Sequence, residues 1–170
     1  MFSLKKPKKP AFISLIFTVL LLCTAGYAQT GATAFNRTAF YTAFASNNVN
    51  TIEKQLDIVG ESLRDEKEAF EGALMMKRAG LIKGASHKLK AFKAGKEKLE
   101  NMLDKYADNA EYRFLRLMIQ EKAPKILGYD KQLEEDHKYV IEHFKTIPEA
   151  AQKAILNYSK SSKVLSPTDF

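Results

Sequence analysis

Between positions 52 and 165 the apolar residues of this chain recur every three or four positions and show no sustained two-residue alternation. A helix returns a side chain to the same face after about 3.6 residues and a strand after two, so this regularity excludes sheet-based folds. Ile52, Leu56, Val59 and Leu63 form one such face. Phe70, Ala73, Leu74 and Leu81 form the next, and Leu89, Phe92, Leu99, Met102, Leu103 and Tyr106 a third. No hairpin turn chemistry joins two apolar runs. The expected class is all-α, with six to seven antiparallel helices packed as stacked helical hairpins, because short connections make neighbours antiparallel.

Capping residues set the expected boundaries. A first helix spans about 34–46. Asn50 with Glu53 caps a second, and a third over about 64–82 is stopped by Gly84, a residue that tolerates left-handed angles. Ser86 caps the fourth. Asp108 with Glu111 makes a capping box for the fifth, which Pro124 ends. Asp130 starts a sixth with inward stripe Leu133, His137, Val140 and Phe144. Thr146, Pro148 and Glu149 open the last, lined by Ala151, Ala154, Tyr158 and Leu165. Gly95 falls on the buried face of the fourth helix. Glycine there costs about 1 kcal/mol against alanine, so its use is to admit a neighbouring helix closely.

Residues 1–28 read as a secretory signal peptide. Lys5, Lys6, Lys8 and Lys9 form a positive start, 11–25 an apolar run, and Gly26-Tyr27-Ala28 puts small residues at the −3 and −1 positions of a cleavage site. The run is shorter than the roughly 20 residues of a membrane span; an uncleaved anchor is the alternative. The product is expected to be periplasmic or secreted, with a single helical domain over 29–165 and a flexible tail over 166–170.

Removing the leader changes the chemistry. Four of the 27 Lys and Arg leave and no acid does, so 23 cations face 20 acids and the mature charge is +3, against +7 for the whole chain. No nucleic-acid partner is expected from so small an excess. Cys23, the only cysteine, leaves too, which excludes disulfides, thiolate metal sites and a cysteine nucleophile.

The segment 109–129 carries two apolar arcs and one polar strip of Arg113, Arg116 and Gln120, as a helix with neighbours on two sides requires. The arginines either face water and pair with Glu134, Glu135 or Asp136 of the adjacent helix, or form a recognition surface for carboxylate or phosphate. On the second reading Arg113, Arg116 and Gln120 contact a protein or peptide partner. Lys88, Lys90 and Lys93, in a locally basic stretch, are either solvated or touch an anionic envelope surface.

No catalytic motif is present, and no catalytic residue, cofactor or metal is expected. Glu134-x-x-His137 matches half of the paired Glu-x-x-His motif of di-iron bundles, and the second half is missing. The leading reading is an exported, non-enzymatic helical protein that binds a protein or peptide. The alternative is an envelope-associated enzyme or metal-binding bundle using Glu134 and His137.

Gly95, Leu99, Leu103, Asn109 and Ala110 follow one another as at a junction between tetratricopeptide-type repeats, which the stretch 95–116 resembles. Met102 stands where alanine is usual and Ala107 where proline is. The resemblance implies stacked helical hairpins and peptide or protein binding. The chain also looks like a small exported helical protein of bacteria.

Overall fold

A computed structural model describes residues 1–2, 35–62 and 66–170. The chain divides into two units, Met1–Gly31 and Ala32–Phe170. All described helices belong to the second. The expected leader lies outside the described residues apart from Met1 and Phe2, and so does Leu63. Among the described residues there are seven α-helices and no strand: α1 Arg37–Ala45, α2 Val49–Gly60, α3 Lys67–Leu81, α4 Ala85–Lys105, α5 Ala110–Lys122, α6 Leu133–Glu142 and α7 Glu149–Ser159. Short 3-10 turns occur at Lys125–Leu127, Phe144–Thr146 and Pro167–Asp169. None of the described helices is long and apolar enough to cross a membrane.

Asparagine, not the expected residues, starts three of these helices. The side-chain oxygens of Asn36, Asn48 and Asn109 accept from the backbone N–H three residues on, at 3.0, 3.1 and 3.1 Å. Each cap has extended backbone angles, which lets a short carboxamide reach a first-turn donor. Asn50 therefore lies inside α2 and Asp108 lies outside the cap of α5. Their expected partners are used elsewhere: Glu53 accepts from Arg78 at 2.8 Å and Glu111 from Arg37. Ser86 lies inside α4, whose N-cap is Gly84 at φ 86°, with no side-chain cap. Gly84 thus opens α4, while α3 has already ended at Leu81. Pro148, not Thr146, precedes α7.

Helices α3 and α4 meet at two glycines. A Cβ on Gly72 would stand 2.6 Å from the carbonyl oxygen of Gly95, and one on Gly95 would stand 2.5 Å from that of Gly72. Nothing larger than hydrogen fits at either position, so Gly95 serves the close approach expected of it.

Helix α5 runs through the centre. Ala110, Tyr112, Phe114, Leu115, Leu117, Met118 and Ile119 are all buried, and each large side chain removed from water contributes about 1.5–3 kcal/mol. Other faces shift by a residue or so from expectation. In α2 the buried set is Ile52, Gln55 and Val59, with Leu56 only half-buried. In α6 Asp136 and Val140 point inward while His137 and Leu133 are half-buried. Leu89 of α4 is 42% exposed.

The end of the chain, expected as a loose tail over 166–170, forms a capped turn. The Ser166 hydroxyl accepts from the Thr168 N–H, the Asp169 carboxylate accepts from the Ser166 N–H at 2.6 Å, and the Phe170 ring lies 4.6 Å from that of Phe144.

Candidate functional site

The strip of Arg113, Arg116 and Gln120 faces α4 and α6. Arg116 donates to both oxygens of Asp136, at 2.7 Å from Nε and 2.8 Å from Nη2, and to Glu100 at 3.0 Å. Glu100 also accepts from the Tyr129 hydroxyl. Arg113 donates to Glu135 at 2.7 Å, to Asp136 at 3.4 Å and to the Ala107 carbonyl at 2.8 Å, and its guanidinium lies 4.2 Å from the centre of the Tyr139 ring. Gln120 is 2% exposed; its Nε2 donates to Gln132 at 3.2 Å and its Oε1 has no partner among the described residues. The arginines thus pair with Glu135 and Asp136, the adjacent-helix partners named in one of the two sequence readings. Glu134 is not among them; it lies near Lys138 at 3.9 Å.

Burial opposes charge on both members of the central pair. It raises the Asp136 carboxyl, against the pull of Arg116 and Arg113. At Arg116 burial works to lower the pKa, but the hydrogen bonds and charges of Asp136 and Glu100 outweigh it and the pKa is raised. Arg116 therefore stays cationic, and the forked geometry, in which Nε and Nη2 each meet one oxygen of Asp136, is that of an ionised pair. Burial and the bond to Glu100 push the Tyr129 phenol up, keeping it a donor. This network ties together α4, α5, α6 and the Tyr129 loop.

A second network joins α1 to α5. Arg37 Nε lies 3.1 and 3.0 Å from the two Glu111 oxygens, Arg37 Nη2 donates to Glu66 at 3.0 Å, and the Tyr41 hydroxyl donates to Glu111 at 3.0 Å. A third holds the chain end. Glu121 accepts from the hydroxyls of Tyr158 at 2.7 Å and Ser162 at 2.5 Å, from the Lys163 N–H at 2.9 Å and from Lys122 at 2.7 Å. Burial alone would raise the Glu121 carboxyl; these four donors together take it below the ordinary glutamate value.

Glu134 and His137 lie one helical turn apart on α6, and His137 is half-buried. The Glu134 side chain is 79% exposed beside Lys138, and no group of three or more metal-ligating side chains occurs among the described residues. Lys88, Lys90 and Lys93 are exposed.

Grooves open on the surface of the described residues. One, of about 600 Å³, has Leu56, Met75 and Ala91 in its lining with the charged groups Asp57, Glu61, Glu71 and Arg78. Another, of about 450 Å³, lies along α1 and α2. Its lining includes Thr38, Thr42, Thr51, Lys54, Gln55 and Ile58, and no acid. Gln55 is 5% exposed, and its Nε2 has no hydrogen-bond partner among the described residues. Gln55 is not among the residues expected to face inward, because Leu56 fills that place in the apolar spacing. The signal was a lone polar residue three after Ile52 and four before Val59, on the apolar stripe itself.

No protein-family model, no curated protein and no solved structure matches this chain.

Proposed function

We propose that this chain is an exported, non-enzymatic helical protein of the cell envelope, periplasmic or secreted, that binds a protein or peptide partner. Its helices are taken to run antiparallel as stacked hairpins, in the manner of tetratricopeptide-like proteins. The charge order of the first 28 residues supports export.

The observation that carries the binding role is the unpartnered carboxamide of Gln55 in the α1–α2 groove. A buried donor without a partner costs about 1–3 kcal/mol, and an extended peptide supplies the missing acceptor through its backbone carbonyls. A carboxamide carries both an N–H donor and a carbonyl acceptor, so Gln55 matches the two groups of one peptide unit. Lys54 places an ammonium in the lining for an acidic side chain, and Ile58, 42% exposed, gives an apolar one a surface to cover. On this reading the Arg113, Arg116 and Gln120 network sets the positions of α4, α5 and α6, and recognition falls to α1 and α2.

Peptide display against the purified chain tests the proposal. Enriched peptides are expected to bind the native chain and to lose about tenfold in affinity on Gln55→Leu, the equivalent of roughly 1.4 kcal/mol. A filled groove, made by Ala39→Trp, is expected to abolish binding. A selection that enriches nothing, or peptides indifferent to both substitutions, refutes it.

A further inference from the structure

The start of helix α4 is bare. Every residue from 83 to 90 is exposed. Lys88 precedes Phe92, Gly95 and Leu99 by four, seven and eleven positions, so it shares their azimuth on the helix. Those three are buried and Lys88 is exposed. The same face is therefore covered further along and bare at the beginning.

The bare end is strongly cationic. No Asp or Glu occurs from position 72 to position 96. Three cations of that stretch have partners: Lys77 donates to Asn47 at 3.3 Å, Arg78 to Glu53 at 2.8 Å, and Lys96 lies 5.1 Å from the centre of the Tyr129 ring. Lys83, Lys88, Lys90 and Lys93 have no ion pair, hydrogen bond or ring contact among the described residues. Lys98, just past the stretch, is held by Glu68 at 2.5 Å and Glu71 at 3.2 Å. Leu89 stands among the unpaired ammonium groups, 42% exposed.

We infer that the bare, cationic start of α4 docks on an anionic phospholipid bilayer. Four unpaired ammonium groups meet phosphate headgroups, each adding about a fivefold gain in partition near an anionic surface. Leu89 enters the interfacial layer below the headgroups. The leucine favours a bilayer over a soluble polyanion. A polyanion has no apolar layer to receive it, and single-stranded nucleic acid would call for exposed aromatic rings to stack on; Phe92, the one aromatic residue here, is buried. The inference uses none of the α1–α2 groove residues, so either proposal can fail alone.

The test places a polarity-sensitive fluorophore at position 87 through His87→Cys in a Cys23→Ser background of the full chain, so that the signal reports this end of α4 and not the apolar stretch near the start of the chain. Vesicles of phosphatidylcholine with one-quarter phosphatidylglycerol are compared with phosphatidylcholine alone. A blue shift is expected with the anionic vesicles only. Partition is expected to fall at least tenfold as salt rises from about 0.05 to 0.5 M, where screening shortens to a few ångströms. Replacing Lys83, Lys88, Lys90 and Lys93 together by glutamine is expected to remove the shift while the helical circular dichroism stays unchanged. Leu89→Ser is expected to reduce it severalfold at constant charge. The inference is overturned by an equal shift with neutral vesicles, by a shift that survives the four substitutions, or by a shift produced by heparin and not by anionic vesicles.

Discussion

Helices α3 and α4 approach one another where side chains are missing, whereas α5 and α6 approach where side chains are charged. At the first contact Gly72 and Gly95 leave room for neither helix to carry a methyl group. At the second, Arg116 and Asp136 are both buried and bound to each other through two hydrogen bonds. The dry contact draws on dispersion and the exclusion of water, which need only close approach. The ionic contact needs each charge to find its partner, since desolvating either alone is costly. A glycine contact therefore fails by crowding and a buried ion pair by being halved.

Asp136→Ala is expected to give the largest loss, about 3–5 kcal/mol in urea unfolding, because it strands Arg116 in a buried site. Replacing the pair together, as Arg116→Met with Asp136→Leu, is expected to cost much less than the sum of the single changes. A double variant as unstable as the sum would mean that Arg116 and Asp136 are not energetically coupled, and would remove the ionic side of the contrast.

Gly95→Ala comes next, at about 1–3 kcal/mol from overpacking. Alanine is the better helix former by about 1 kcal/mol, so a stabilised variant would show that α3 and α4 can part without loss and would remove one side of the contrast.

The Glu121 clamp gives a graded effect with pH. Its folded carboxyl lies below the ordinary value near 4.3. The clamp's contribution is thus complete above that value and is lost as pH falls through the lower folded one, because the unfolded chain binds the proton first. Amide protection at Lys163, Val164 and Leu165, taken relative to intrinsic exchange, is expected to fall selectively below about pH 4. Glu121→Gln is expected to flatten that response. Protection that ignores both acid and substitution would show that the Phe144–Phe170 contact holds the end by itself.

The smallest effect is expected at Glu134→Ala. The pair with Lys138 at 3.9 Å is exposed on both sides, and such pairs are worth less than about 1 kcal/mol. A clear loss of stability there would mean that burial does not separate the strong charge pairs of this fold from the weak ones.

What could be read from the chain beforehand follows the same division. The helical class and the close approach at Gly95 were legible, because periodicity and a misplaced glycine are local facts. The pairing of Arg113 and Arg116 with Glu135 and Asp136 was legible as one of two alternatives, since adjacent helices were bound to bring those charges near. Which face of the strip turned inward was not, because that depends on where α4 lies. Helix starts were misplaced at Asn50 and Asp108 because several residues at each junction have capping chemistry. The choice of Asn48 and Asn109 rests on which of them takes extended angles. Gln55 escaped notice because a one-residue rotation of α2 exchanges it with Leu56.

By itself the sequence determined that this chain makes helices: side-chain spacing and the absence of alternation act within a turn or two and need no distant partner. The tertiary structure alone decided which polar groups went inside, which carboxylate met which guanidinium, and that the first turns of α4 stay exposed. Those outcomes depend on contacts between residues tens of positions apart, and local chemistry permits several of them equally.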